Sequence, residues 1–62
     1  MEQEKDTFIV VDDHPPIRAF SKSVLKETFP NSIILEAESG RQAIELSLKN
    51  KPKLVIMDIA MA

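Results

Sequence analysis

Three aspartates carry the chemistry that this sequence offers. Asp12 and Asp13 stand together after one apolar run, Phe8–Val11, and Asp58 stands directly after another, Leu54–Met57. If the two runs are neighbouring strands of one sheet, their carboxyl ends bring three carboxylates to a single edge. Carboxylates gathered in this way repel and raise one another's pKa unless a cation neutralises them. Magnesium suits the set, because it is a hard ion that takes oxygen ligands and keeps several waters. Taken singly, each element has a plainer reading. Asp12-Asp13 before Pro15 also fits a turn or a helix cap, and an aspartate ending a buried strand is ordinary. The informative feature is the joint pattern, an acidic pair and a lone aspartate at the ends of separate strands.

Other chemically capable residues are few. His14, the single histidine, could be a metal ligand or a phosphorylated imidazole, but its place beside a helix start favours a capping or surface role. Gly40 is the single glycine, which excludes a glycine-rich phosphate loop or dinucleotide fingerprint. Met57 and Met61 read as packing residues. Lys49, Lys51 and Lys53 form a solvated patch where they complement the end of a helix dipole.

The elements that must position the aspartates follow from periodicity. Phe8–Val11 is too short for a helix and, being β-branched and aromatic, predicts a fully buried strand. Pro15-Pro16 opens a helix, where a missing N–H has no partner to lose. Ile17, Phe20, Val24 and Leu25, with Phe29 beyond, give that helix an apolar face, and Arg18, Lys22 and Lys26 an opposite, solvated one. Pro30-Asn31 stops it. Ile33-Ile34-Leu35 begins a second strand that turns polar at Glu36 and Glu38, as an outer strand does. Ser39 and Gln42 have capping-box spacing for a second helix, whose buried stripe is expected at Ala43, Ile44, Ser47 and Leu48. After Lys51-Pro52-Lys53, Leu54–Met57 is a third buried strand ending on Asp58.

Strands alternating with amphipathic helices predict an α/β fold with a parallel sheet and right-handed crossovers. The expected spatial order is 2-1-3, the opening half of a flavodoxin-like sheet. The 62 residues have room for one small domain, and their polar, acidic opening over residues 1–6 is expected to be flexible. So short a chain buries a small fraction of its surface and has no cysteine for a disulfide or thiolate–metal staple. Marginal stability, or help from another chain, is expected. A net charge of −2 argues against nucleic-acid contact by this segment. Apolar runs of four residues do not span a membrane, and the default setting is cytoplasmic.

These residues resemble the receiver domains of two-component response regulators. Phe8-Ile9-Val10-Val11-Asp12-Asp13-His14-Pro15 looks like their first strand and acidic pair. The run from Lys51 to Met61 looks like the stretch around their phosphoacceptor, and Glu38-Ser39-Gly40-Arg41-Gln42-Ala43 is similar to the start of their second helix. The resemblance covers the chain from Phe8 onward and corresponds to the N-terminal half of this CheY-like domain. His14-Pro15 after the pair is similar to regulators of the LuxR type, whose receivers precede a DNA-binding domain.

The resemblance implies that Asp58 accepts a phosphoryl group from the phosphohistidine of a sensor histidine kinase or phosphotransfer protein. It implies Mg²⁺ bound directly by Asp13, chiefly through water by Asp12, and further by Asp58 and the backbone carbonyl of Ala60. The product would be an aspartyl phosphate used as a signal, not turnover by an enzyme. The protein's part would be positioning and electrostatics, and the output transcriptional. Two departures stand out. Ala62 takes the place of a usual proline, and the sequence holds no counterpart of the family's fourth and fifth strands. The hydroxyl residue and lysine on those strands have no match here, so impaired activity is expected of the chain alone. A Mg²⁺-dependent phosphohydrolase is an alternative, but such enzymes commonly place a second acid where this chain has Ala60. An inert, self-associating fragment is another. With a 2-1-3 order, Leu54–Met57 would lie at an unprotected sheet edge, and a homo-oligomer is expected through that strand.

Overall fold

The computed structural model describes residues 5–57. They form five elements: β1 (Thr7–Val11), α1 (Pro15–Thr28), β2 (Ile33–Ala37), α2 (Gly40–Asn50) and β3 (Leu54–Met57). The three strands make one parallel sheet in the order β2-β1-β3. Both expectations, the element order and the sheet order, are met. The registers run from Thr7 opposite Ile33 to Val11 opposite Ala37 on one side of β1, and from Phe8 opposite Leu54 to Val11 opposite Met57 on the other.

The central strand divides the core in two. Its side chains alternate between faces, as strand geometry requires. Phe8 and Val10 pack with Leu25 of α1, Ile34 and, at the margin, Ile56. Ile9 and Val11 pack on the other face with Ala37, Ala43 of α2, Leu35 and Leu46. The helices therefore lie on opposite faces. This is the arrangement produced when successive crossovers of one hand run first toward one edge of a sheet and then toward the other.

The local devices read from sequence are present, with one variation. The Ser39 hydroxyl caps α2 by accepting from the Gln42 N–H at 3.2 Å. The Gln42 amide oxygen reaches back to the Glu38 N–H at 2.7 Å, one residue before the cap. Lys51 ends α2 in a left-handed conformation, φ 47°, and Pro52 follows. Phe29, just past α1, packs edge-on against Phe8 with ring centroids 5.1 Å apart.

The helix faces differ from expectation. Leu25 is the buried residue of α1, whereas Ile17, Val24 and especially Phe20, 70% exposed, face outward. Arg18, Lys22 and Lys26 do not line a free solvent face. They lie along the β2 side, Arg18 and Lys22 on Glu36 and Lys26 on the Ser32 carbonyl at 2.7 Å. In α2, Ala43 is buried and Leu46 half-buried, while Ile44 and Leu48 are exposed, Leu48 by 78%. The cause is the same in both helices. Each packs on β1 and β2 and neither packs on β3 among the described residues, so only part of each apolar stripe meets the sheet. β3 itself is an edge, with Leu54, Val55 and Met57 each more than a third exposed.

Candidate functional site

The acidic pair sits where β1 leaves the sheet. Asp12 is still tied to the ladder, its N–H donating to the Ala37 carbonyl at 3.0 Å. Its side chain is only 6% exposed, against 43% for Asp13 and 62% for His14. Pro15 and Pro16 fill the first turn of α1 after His14, the N-cap residue, whose own side chain makes no capping bond. The turn reading of Asp12 is correct in detail: its Oδ1 accepts the His14 N–H at 2.9 Å, the aspartate-over-backbone turn that favours this residue type.

The three side chains converge. His14 Nδ1 lies 3.1 Å from Asp12 Oδ1 and 2.8 Å from Asp13 Oδ1. His14 is thus on the surface, as expected, but it faces both carboxylates. The His14 N–H, with help from its side chain and from Arg18, holds the Asp12 carboxyl below the ordinary carboxylate value although burial opposes this. A buried aspartate held ionised in this way is the donor a hard divalent cation needs. One potential ligand atom from each of Asp12, Asp13 and His14 lies within 4.8 Å of the others. The oxygen donors fit Mg²⁺. Asp58 and the Ala60 carbonyl, the other expected ligands, lie outside the described residues.

A residue not foreseen as part of this neighbourhood is Arg18. Its Nη1 donates to the Asp12 carbonyl at 2.8 Å and its Nε to Glu36 Oε1 at 3.0 Å. Lys22 Nζ takes the other Glu36 oxygen at 3.2 Å. These two bases lower the Glu36 pKa, the Arg18 hydrogen bond foremost and that of Lys22 next. A sequence signal existed: a lone Glu36 within an apolar strand, and two bases one helical turn apart.

A parallel β-α-β-α-β unit carrying an acidic pair at the end of its central strand is the framework of a phosphate-signalling receiver, and the comparisons agree. The chain belongs to the response regulator receiver domain family, which matches residues 8–62. It is 45% identical over 60 residues to "Histidine kinase P4" of Formosa agariphila, covering 97% of this chain and 4% of that protein. It is 34% identical over 59 residues to the nitrate/nitrite response regulator protein NarL of Escherichia coli, covering 95% of this chain and 27% of NarL. The transcriptional regulatory protein YdfI of Bacillus subtilis is 34% identical over 53 residues, with 86% of this chain and 25% of YdfI covered. No solved structure matches. The chain thus spans about a quarter or less of these relatives' lengths. Receiver domains bind Mg²⁺ and interact with histidine kinases, and an Asp12–Asp13 acidic cluster is present here. No helix among the described residues is long and apolar enough to cross a membrane.

Proposed function

We propose that this segment is the phosphoacceptor part of a receiver. A carboxylate oxygen of Asp58 forms the new bond to phosphorus as the bond to the imidazole nitrogen of a sensor kinase or phosphotransfer protein breaks. The observation that supports this most is the parallel register of β1 and β3, in which Val11 stands opposite Met57. Asp12 and Asp58 are the residues that directly follow this pair in the sequence. Bound Mg²⁺ would supply charge neutralisation for the phosphoryl group. Asp13, Asp12, Asp58 and the Ala60 carbonyl would hold it, Asp12 chiefly through water. The decisive experiment treats the protein that carries this segment with acetyl phosphate and Mg²⁺. Stable label at Asp58, absent from Asp58→Asn, is expected. Steady release of phosphate would indicate a phosphohydrolase instead, and no label an inert association module.

Two outputs compete. NarL and YdfI, named as a response regulator and a transcriptional regulatory protein, support a cytoplasmic transcription factor of the LuxR type. The 45% identity to a protein named as a histidine kinase favours a receiver joined to a kinase. Binding of promoter DNA on phosphorylation distinguishes the first, and transfer from a histidine of the same polypeptide the second. We further propose self-association through Leu54–Met57, supported by the exposure of that strand.

A further inference from the structure

Every polar backbone handle of Asp12 is held. Its N–H is bonded to the Ala37 carbonyl at 3.0 Å, and its carbonyl accepts from Arg18 Nη1 at 2.8 Å. That carbonyl belongs to the peptide joining Asp12 to Asp13. Peptides are planar, so fixing the oxygen fixes the plane and with it the point from which the Asp13 side chain departs. The guanidinium is itself immobilised: Nε bonds Glu36 Oε1 at 3.0 Å, and Lys22 holds Oε2 at 3.2 Å. A rigid planar fork can serve two acceptors at once, which a lysine ammonium on a flexible stem cannot reproduce. The Arg18 side chain is 18% exposed, so water competes little for these bonds.

We propose that Arg18 is a positioning residue of the acidic site: it holds the Asp12–Asp13 peptide in the orientation that a divalent cation requires, and Glu36 anchors it there. The proposal rests on the reading of Asp12 and Asp13 as a Mg²⁺ site. It is separable from a simple charge effect by sign. A positive charge close to the carboxylates opposes cation binding, so removing it would tighten Mg²⁺ if charge were its whole contribution. Removing a positioning contact weakens Mg²⁺. Loss of a partner that orients a metal ligand typically costs about tenfold or more in affinity.

The test measures two quantities in the full chain and in Arg18→Met and Arg18→Lys, at a temperature where all are folded. The first is Mg²⁺ affinity by titration. The second is amide hydrogen exchange at Asp13 and His14, with Leu25 of α1 as an internal reference. In Arg18→Met we expect about tenfold weaker Mg²⁺ and faster exchange at Asp13 and His14 relative to Leu25. Arg18→Lys should fall between it and the wild type. Glu36→Gln, which loosens the anchor only, should shift both quantities less and in the same direction. Unchanged or tighter Mg²⁺ in Arg18→Met with unchanged exchange overturns the proposal. A lower melting temperature with neither change assigns Arg18 to stability alone and also overturns it. If the wild type and Asp13→Asn bind Mg²⁺ equally poorly, the metal reading fails instead, and the exchange measurement decides on Arg18 by itself.

Discussion

Asp12 and His14 are joined twice: Asp12 Oδ1 accepts the His14 backbone N–H at 2.9 Å and lies 3.1 Å from His14 Nδ1. The first contact belongs to the backbone and survives any substitution of His14 other than proline. The second belongs to the imidazole alone. Mg²⁺ affinity in His14→Ala should therefore stay within a few-fold of the wild type, because the Asp12 turn persists and the oxygen donors are untouched. Asp13→Asn removes a carboxylate and should abolish binding. Titration followed by amide shifts near Asp13 checks both, and equal binding by Asp13→Asn would show that the acidic pair is not the metal site.

Glu36 gives the fold a defined acid sensitivity. Arg18 and then Lys22 hold its pKa below the ordinary glutamate value of 4.5. A carboxylate whose folded pKa is depressed stabilises the fold fully above its unfolded value and loses that contribution as pH falls through the folded one. Stability should therefore decline below about pH 4.5, and Glu36→Gln should flatten this part of the profile. At neutral pH the substitution should cost about 1 kcal/mol or less, since the Glu36 side chain is 35% exposed and solvent screens such pairs. Urea unfolding as a function of pH reads both effects.

The two helices bury unequal shares of their apolar residues, and this too is measurable. Leu25 packs against Phe8, Val10 and Ile34, so Leu25→Ala should cost about 2–5 kcal/mol. Phe20→Ala, at a largely exposed position of the same helix, should change stability by about 0.5 kcal/mol or less. Equal losses in denaturant melts would mean that Phe20 is covered in solution.

That contrast also marks how far the sequence could be read. The three strands were legible because short β-branched runs have few alternatives, and the start of α2 because Ser39 and Gln42 carry the cap in their spacing. The helix faces were only half legible. Periodicity finds an apolar stripe on α1, but which part meets the sheet depends on the neighbours. Here those are β1 and the polar outer end of β2. Glu36 draws Arg18 and Lys22 inward, toward a position that hydropathy alone assigns to water. In α2, Leu46 was missed and Leu48 expected in its place for the same reason. The joining of Arg18 to the Asp12 carbonyl was not legible at all, since a side chain bonding to a backbone oxygen leaves no pattern in residue types.

The two sheet edges are unequally protected, and this directs assembly. β2 carries charged groups beside its edge, Glu36 paired with Arg18 and Lys22, and Lys26 on the Ser32 carbonyl just before the strand. Charged side chains of this kind are how natural edges discourage pairing. The β3 edge has no counterpart among the described residues. Leu54–Met57 is apolar throughout, neither helix packs on it, and Leu54, Val55 and Met57 are each more than a third exposed. A second copy pairing there would bond the free backbone groups of β3 and bury its apolar side chains in one step. We expect this chain to dimerise or assemble further at high concentration, with Leu54–Met57 at the contact. Val55→Lys should weaken assembly markedly, because it sets like charges against one another across a symmetric contact. Glu27→Lys, an exposed change near the end of α1, should have little effect. Lys22→Glu is not an equivalent control, since it would also break the pair with Glu36. Sedimentation across a concentration series, with exchange measured at the Val55 and Ile56 amides, reads the outcome. A folded monomer at the highest concentration, with both amides exchanging freely, would rule out this edge as the contact.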